Sequence, residues 1–276
     1  MKKSELLALL ARLELHPSRK LGQNFLIDDN MLDAMVRASA PVAGESVLEI
    51  GPGTGVLTRR LLAAGCRVTA VELDHRLAAY LRSELGEQEN FRLIEGDACK
   101  QDYQELMGDE PFRCIANLPY SCGSVFLAVI AALSNPPTEL YVLLQKEMGD
   151  RLTATIGTKE YGSLTCRLQW LYAISLVRNV PQGVFFPPPE VMSAYIRLKR
   201  LPEIPAVALR QRAALLVNTA FSQRRKKITG LLSKYDFQQP LASLLDEMQI
   251  SPDSRAENLT PAQYLQLAEK LKDDAR

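Results

Sequence analysis

The sequence VLEIGPGTGVLT, residues 47–58, decides the fold that we predict for this chain. A mostly apolar run, typical of a buried strand, leads into a loop that has glycine at positions 51, 53 and 55, and an apolar helical pattern follows. Glycine lets the backbone turn sharply and approach a ligand closely. A strand, a glycine-rich loop and a helix in this order predict the ligand-binding turn of an open α/β sheet.

The spacing of the glycines separates this loop from that of the dinucleotide-binding proteins. Their fingerprint, G-x-G-x-x-G, would require a glycine at position 56, where this chain has Val56. The spacing here is G-x-G-x-G with Glu49 ahead of it, a variant characteristic of S-adenosylmethionine binding. That donor has no pyrophosphate, so the loop is expected to surround its amino-acid part and its ribose. A glycine loop alone is a weak signal, and a plain tight turn is the alternative.

Apolar, β-branched runs recur through the first 200 residues, with helical patterns between most of them. This alternation predicts a doubly wound, mostly parallel sheet. The predicted strands cover residues 47–50, 68–72, 91–95, 113–117, 140–144, 174–179 and 193–198. The last two are separated by PQGVFFPPP, in which no helix fits. We therefore expect these two strands to form an antiparallel hairpin at one edge of the sheet.

The pattern changes after Arg200. LPEIPAV, residues 201–207, is typical of a linker, and only helical patterns follow it. We therefore predict a sheet domain over residues 1–200 and a small helical domain over residues 201–276. The net charge is +1, but the chain from Arg197 onward holds 14 Lys and Arg against nine Asp and Glu. This basic surplus favours a polyanionic partner for the second domain.

Composition argues against several classes of protein. The five cysteines form no C-x-x-C pair, which favours a reducing cytoplasmic location over a disulfide scaffold. The only histidines are His16 and His75, and neither a metal-binding spacing nor a Ser-His or Cys-His pair is evident. No apolar run approaches the roughly 20 residues of a membrane span. Residues 1–15 are interpreted as a short amphipathic helix, because charged residues interrupt their apolar positions.

Acidic residues follow the next two predicted strands. Glu72, 21 residues after Gly51, can accept hydrogen bonds from both hydroxyls of a ribose. Asp97, in the sequence EGDA, can accept from the exocyclic amine of an adenine that lies against Ala98. Either acid alone would more simply be a surface or capping residue. Together with the glycine loop, they predict a nucleoside site at the carboxyl edge of the sheet.

The sequence NLPY, residues 117–120, ends the fourth predicted strand beside this edge. An aromatic exocyclic amine such as N6 of adenine is a poor nucleophile, because its lone pair is delocalised into the ring. The Asn117 amide oxygen and the Leu118 carbonyl can accept its two N–H groups and stabilise the charge that develops on methylation. Pro119 fixes the backbone, and Tyr120 offers a stacking face for a base taken out of its helix. A plain turn is the alternative for the tetrapeptide alone.

Ten motifs, in order, resemble those of the KsgA-type ribosomal RNA small-subunit adenine dimethyltransferases. They are LGQNFL (21–26), EIGPG (49–53), VELD (71–74), GDA (96–98), NLPY (117–120), LQKE (144–147), YGSL (161–164), FFPPPEVMSA (185–194), FSQRRK (221–226) and RAENL (255–259). The resemblance runs from about Arg19 to the C-terminus. It implies a Rossmann-like class I methyltransferase fold, with a seven-stranded, mostly parallel sheet and an antiparallel edge hairpin, plus a small all-helical C-terminal domain.

The resemblance also implies a function. It implies dimethylation of N6, by S-adenosylmethionine, of two adjacent adenosines in a hairpin loop near the 3′ end of small-subunit rRNA. It further implies a role in ribosome biogenesis, the immature small subunit as partner, a cytoplasmic monomer and no metal. The alternatives are an Erm-type large-subunit methyltransferase and a chiefly non-catalytic assembly factor. The FSQRRK and RAENL motifs favour the small-subunit enzyme over these alternatives. The spacing of the glycines argues against a dehydrogenase.

Site residues also follow from the matched motifs. By the resemblance, Asn24 and Leu26 contact the methionine end of the donor, and Phe185 sandwiches the target adenine against Tyr120. The remaining donor-binding positions are Gly51, Gly53, Glu72, Asp97, Ala98 and Asn117. Ser121 and Cys122 stand where family members often have Asn-Ile, at the base pocket. Cys122 is not interpreted as a nucleophile, because methyl transfer to nitrogen needs no covalent enzyme intermediate.

The basic residues of the second domain are concentrated in FSQRRKKI. Arg224, Arg225, Lys226 and Lys227, expected at a helix terminus, are predicted to contact RNA phosphates. Arg19 and Lys20, just before the LGQNFL motif, are a second candidate for contact with the RNA backbone. A solvated helix face is the alternative for some of them.

Overall fold

The structure is a computed structural model, and it describes residues 1–272. Contacts within the chain divide it into two compact units. The first unit comprises Met1–Ile130, Asn135–Gly149 and Ile174–Lys199. The second comprises Ala131–Ser134, Asp150–Ala173 and the described chain from Arg200 onward.

Nine strands occur in residues 1–272, and seven of them form one sheet. The strands are β1 (Phe25–Leu26), β2 (Ser46–Ile50), β3 (Arg67–Glu72), β4 (Phe91–Glu95), β5 (Phe112–Asn117), β6 (Glu139–Gln145), β7 (Tyr172–Val180), β8 (Phe185–Phe186) and β9 (Ser193–Arg200). The order in the large sheet is β4-β3-β2-β5-β6-β9-β7. Neighbours from β4 to β6 are parallel, and β9 runs antiparallel to β6. The predicted seven-stranded, mostly parallel sheet is confirmed.

Twelve α-helices lie in the described chain. They are α1 (Lys3–Arg12), α2 (Asp29–Ser39), α3 (Val56–Ala63), α4 (His75–Leu85), α5 (Tyr103–Met107), α6 (Gly123–Ile130), α7 (Lys146–Leu152), α8 (Ser163–Gln169), α9 (Val207–Phe221), α10 (Ile228–Leu232), α11 (Leu241–Glu247) and α12 (Pro261–Glu269). In α4, Asp74 caps the amino end, and Leu77, Leu81 and Leu85 recur every fourth residue and are all buried. That spacing places them on one helix face against the core. No helix of the described chain is both long and apolar enough to cross a membrane.

The core of the first unit lies on both faces of the sheet. Val47 and Leu48 are neighbours on β2 and are both fully buried. Successive side chains of a strand point to opposite faces, so both faces of the sheet are covered. This explains why β2 is apolar from Val47 to Ile50 except at Glu49.

An ion-pair cluster lies toward the amino ends of the parallel strands. The guanidinium of Arg113 is 3.0 Å from a Glu45 oxygen and 3.2 Å from a Glu139 oxygen, and Arg197 also pairs with Glu139. The two guanidinium groups lie 5.4 and 5.6 Å from the centre of the Tyr141 ring. The cluster therefore links the residue before β2 with β5, β6 and β9.

The second unit contains segments that precede residue 200. Tyr161 and Trp170 donate to the carbonyls of Leu259 (3.3 Å) and Pro261 (2.9 Å). The buried Arg210 donates to the carbonyls of residues 131, 133 and 205 over 2.8–3.0 Å. The single boundary predicted between residues 200 and 201 was therefore too simple. Residues 131–134 and 150–173 belong to the second unit because their buried polar groups are paired there.

Candidate active site at the carboxyl edge of the sheet

A cleft encloses about 960 Å³, part of it open to solvent, at the carboxyl ends of β2 to β5. Its main lining comes from five segments, which are residues 21–26, 49–54, 71–73, 96–98 and 117–122. Four of these segments follow or end parallel strands, and the fifth contains β1. This is the edge at which open α/β sheets bind ligands. The structure thus brings the predicted donor loop, both acidic strand ends and NLPY to one cavity.

The glycine loop requires glycine at its first position. Gly51 has φ of 63°, in the left-handed region that other residues rarely adopt. A Cβ atom added to Gly51 would lie 2.8 Å from Cγ of Pro119, closer than such atoms approach. The absence of a side chain therefore lets the glycine loop contact the NLPY turn directly.

Glu72 supports the glycine loop from the end of β3. Its side chain is buried, and its two carboxylate oxygens accept the N–H groups of Gly53 (3.0 Å) and Asp74 (2.9 Å). Burial raises the pKa of this carboxyl, while the backbone hydrogen bonds lower it. Each oxygen keeps a second lone pair that can accept from a ligand hydroxyl. The sequence predicted the acceptor but not its second role as a support for the loop.

Glu49 is a second buried acid of the cleft. It is 2% exposed, and its Oε2 atom has no hydrogen-bond partner in the described chain. Burial, together with the nearby charge of Glu72, raises the pKa of the Glu49 carboxyl to about 8. A buried oxygen without a partner is costly unless a ligand supplies a donor. Without a ligand the Glu49 carboxyl is therefore favoured in its protonated form at neutral pH, and a cationic group bound nearby would favour the ionised form.

The NLPY turn is held by backbone contacts. The side-chain nitrogen of Asn117 donates to the carbonyl of Asn24 over 3.2 Å, which leaves the amide oxygen as an acceptor. The Leu118 N–H donates to Leu143 over 3.0 Å, whereas no group of the described chain donates to the Leu118 carbonyl. Two acceptors on adjacent residues are thus available at the cleft wall.

The Tyr120 ring is fixed beside these acceptors. Its hydroxyl is hydrogen-bonded to the hydroxyl of the fully buried Ser193, at the start of β9. Burial raises the pKa of the Tyr120 hydroxyl, so the ring is a neutral phenol at physiological pH. A Cβ atom added to Gly22 would lie 2.8 Å from the Tyr120 nitrogen, so the chain approaches this turn closely at residue 22. Neither Ser193 nor Gly22 was assigned a role from the sequence, although both lie within the matched motifs FFPPPEVMSA and LGQNFL.

Comparison with known proteins identifies the family. The model of the ribosomal RNA adenine dimethylase family matches residues 16–273. The chain belongs to this family. Proteins named ribosomal RNA small subunit methyltransferase A are similar along nearly their whole length. The Nostoc sp. protein is 36% identical over 92% of this chain and 98% of its own, and the Erythrobacter litoralis protein is 39% identical over 95% and 93%.

Solved structures show the same fold as this adenine dimethylase family member. The 23S rRNA methyltransferase ErmE is 28% identical, with a TM-score of 0.65, over 90% of this chain and 99% of its own. A dimethyladenosine transferase from Plasmodium falciparum has a TM-score of 0.73 at 24% identity, over 88% and 95%. The predicted class I methyltransferase fold and the predicted enzyme class, an rRNA methyltransferase, are confirmed. Use of S-adenosylmethionine follows from membership of this methyltransferase family.

Asp97 and Ala98 lie in the cleft, as the family resemblance implied. An Asp97 oxygen accepts the N–H of Cys99 over 2.9 Å, and the other lies 3.7 Å from the Lys100 ammonium. The Ala98 carbonyl accepts from the Tyr103 hydroxyl over 2.7 Å. The Asp97 loop is therefore held by its own chain at three points. Leu26 and Asn24 also line the cleft.

Phe185 does not lie where the dimethylase resemblance implied. It is 2% exposed, belongs to the apolar core, and is absent from the cleft lining among the described residues. The reason is the short β1–β8 ladder, which pairs Phe185 with Leu26 and Phe186 with Phe25. The predicted sandwich of an adenine between Phe185 and Tyr120 is not formed by this arrangement.

The four basic residues of FSQRRKKI lie between the end of α9 and the start of α10, and Lys227 is the N-cap residue of α10. All four are exposed, but two have partners: Arg224 donates to the Tyr161 carbonyl over 3.0 Å, and Lys227 pairs with Asp253. At the other candidate position, Arg19 lies 3.0 Å from Glu190, with both side chains more than 80% exposed. The described residues contain no group of three or more metal-ligating side chains arranged to hold an ion.

Proposed function

We propose that this chain transfers methyl groups from S-adenosylmethionine to N6 of two adjacent adenosines, two to each, in a hairpin loop near the 3′ end of small-subunit rRNA. Support for the small subunit comes from the relatives named small subunit methyltransferase A, at 36–39% identity over most of both chains. The observation that carries the chemistry is the pair of free acceptors on Asn117 and Leu118, beside Tyr120 and the glycine loop.

The acceptors act on the target amine. The Asn117 amide oxygen and the Leu118 carbonyl accept its two N–H groups, which positions the nitrogen without deprotonating it. As the C–N bond forms and the S–CH₃ bond of the sulfonium breaks, the nitrogen becomes cationic and the sulfur leaves as a neutral thioether; the fixed dipoles stabilise the charge on the nitrogen. Tyr120 stacks on the flipped base, and its neutral hydroxyl remains bound to Ser193. The product amine is acidic and loses its proton after transfer, so no histidine or carboxylate base is required.

The cleft suits the methyl donor. When bound, S-adenosylmethionine supplies an electrophilic methyl group. In our proposal Glu72 accepts from the ribose hydroxyls, Asp97 accepts from the adenine amine beside Ala98, and Gly51 and Gly53 surround the donor. Asn24, Leu26 and Asn117 contact its methionine end. The unpartnered oxygen of the buried Glu49 supports this assignment, because the donor brings an ammonium group that can satisfy it.

The RNA contacts are proposed on charge and exposure. Arg224, Arg225, Lys226 and Lys227 are exposed, as are Arg19 and Lys20, and phosphate oxygens would replace their present partners or add to them. We propose that residues from about 201 onward bind RNA and that the sheet unit binds the donor. The substrate would be the immature small ribosomal subunit, so the enzyme would act in the cytoplasm. We also propose that the enzyme is a monomer.

Mass-spectrometric mapping of methylated adenosines tests this function. Small subunits from cells that lack the protein are incubated with donor and enzyme, with purified large subunits as the parallel substrate. Two adjacent dimethyladenosines near the 3′ end of the small-subunit rRNA are expected. Methylation of large-subunit rRNA alone would identify the ErmE-like activity instead, which the 28% identity to ErmE makes the second candidate. Tight binding to small subunits without any methylation would identify an assembly factor.

A further inference from the structure

A segment near the N-terminus forms one wall of the cleft. We define the strap as residues 18–26, of which residues 21–26 line the cleft. Two contacts tie the strap to the NLPY turn: Gly22 approaches the backbone nitrogens of Tyr120 and Ser121, and the Asn24 carbonyl accepts from Asn117. The strap is therefore part of the donor cavity and also touches the proposed methyl-transfer residues.

Gln23 makes the third contact of the strap, with the residue that caps α4. Its side-chain nitrogen donates to Oδ2 of Asp74 over 3.0 Å, and its side-chain oxygen accepts the N–H of Ser18 over 2.8 Å. The other oxygen of Asp74 caps α4 through the N–H groups of Arg76 and Leu77. Gln23 thus bridges the strap to a carboxylate whose own position is fixed.

These bonds continue into the donor site. The Asp74 N–H donates to one oxygen of Glu72, and the other oxygen of Glu72 accepts the N–H of Gly53. A chain of hydrogen bonds therefore runs from the strap, through Gln23, Asp74 and Glu72, to the glycine loop. Hydrogen bonds to a charged acceptor are stronger than neutral ones, so the Gln23–Asp74 bond is expected to be stronger than the bond between Asn117 and the Asn24 carbonyl.

We propose that Gln23 is a positioning residue that latches the strap closed over the methyl donor, an inference that rests on the proposed function. Closure retains the donor, because the strap forms a wall of its cavity. Closure also brings the Asn24 carbonyl against the Asn117 nitrogen, which leaves the Asn117 oxygen for the target amine. The latch thus couples the presence of donor to the orientation of the acceptor amide.

The rate of donor dissociation tests the latch. Full-length enzyme is loaded with tritiated S-adenosylmethionine and chased with an excess of unlabelled donor. Gln23→Ala is expected to release the donor about tenfold faster than the wild type, the scale of one hydrogen bond to a charged group. Gln88→Ala is the matched control, since Gln88 is an exposed glutamine outside the cleft lining. An unchanged rate in Gln23→Ala overturns the proposal.

An exchange of the two side chains separates a latch from a general structural effect. Asp74→Asn keeps the oxygen that caps α4 but presents an N–H group to Gln23, and Gln23→Glu alone opposes two carboxylates. Both single variants are expected to release the donor faster. The double variant restores a donor and an acceptor with their places reversed, so its release should return toward the wild-type rate. A double variant no slower than the singles contradicts the latch.

The two proposals fail in different ways. If the wild-type enzyme binds no S-adenosylmethionine, the proposed function is wrong and the latch is wrong with it. If the wild type retains the donor and both the Gln23 and Asp74 variants retain it equally well, the function stands and only the latch is wrong. The exchanged pair has nearly the same shape as the native pair, which keeps the test valid even if Gln23→Ala fails to fold.

Discussion

Replacement of Glu72 by glutamine should weaken donor binding by roughly ten- to a hundredfold. The Glu72 carboxylate accepts two backbone N–H groups, at 3.0 and 2.9 Å, so an amide can retain only one of them. The other N–H, from Gly53 or Asp74, then faces an NH₂ group. The unsatisfied N–H destabilises the free and the donor-bound enzyme alike, at a cost of about 1–3 kcal/mol, so the loss of affinity comes from the hydrogen bonds proposed to the ribose, which an uncharged amide accepts more weakly. A ten- to hundredfold loss corresponds to about 1.4–2.8 kcal/mol.

Titration calorimetry with S-adenosylmethionine measures the effect of Glu72→Gln. Glu95→Gln provides a matched control, because Glu95 pairs with Glu72 in the parallel register of β3 and β4 but lies outside the cleft lining among the described residues. The control should bind the donor like the wild type. Wild-type affinity in Glu72→Gln would refute the reasoning, since it would show that neither the loop nor the ribose depends on this carboxylate.

Four further outcomes are expected. Asn117→Ala should slow single-turnover methyl transfer at saturating donor and RNA by roughly a hundred- to a thousandfold. Asn117→Asp should keep partial activity. A wild-type rate in Asn117→Ala would show that NLPY is only a turn. Glu49 binds its proton more tightly in the folded state, with a pKa of about 8. The free energy of unfolding without donor should therefore fall as the pH rises from about 4.5 to 8. In Glu49→Gln, urea unfolding should show a smaller decrease over the same pH range. Alanine at all four positions 224–227 should make the salt dependence of RNA binding less steep. The magnitude of the slope of log K against log salt should decrease by roughly 0.7–0.9 for each phosphate that the protein no longer neutralises, while the affinity for the donor stays constant. Arg113→Ala leaves the largely buried Glu45 without its ion-pair partner and Glu139 with Arg197 alone, and it should destabilise the fold by about 2–3 kcal/mol in chemical denaturation, below the roughly 3–5 kcal/mol of a fully buried pair because these side chains keep some exposure.

Features encoded within short stretches of sequence were predictable. The glycine spacing after β2 and the acids at the ends of β3 and β4 are local signals, and parallel strands bring their carboxyl ends to one edge. The approximate position of each long strand followed from its own apolar run. For this reason the large sheet and most of the residues that line its cleft could be predicted from the sequence.

Features that depend on distant pairs were not predictable in the same way. Tyr120 and Ser193 are 73 residues apart, and Gln23 and Asp74 are 51 apart, so no periodicity links them. The β1–β8 ladder has only two residues in each strand, too few to show alternation, and it is what buries Phe185. The motif match implied that Phe185 contacts the target adenine. The pairing of β8 with β1 instead places the Phe185 side chain in the apolar core.

The discontinuity of the second unit has a consequence for biosynthesis. Residues 131–134 and 150–173 leave the ribosome well before α9 and α12, which supply their partners. Until Arg210 emerges, the carbonyls of residues 131 and 133 lack their native hydrogen-bond donor, and the Trp170 side chain lacks its native acceptor until Pro261 is synthesised. The second unit therefore completes its folding only when α12 is outside the exit tunnel, and a nascent chain stalled before that point exposes apolar surface to chaperones.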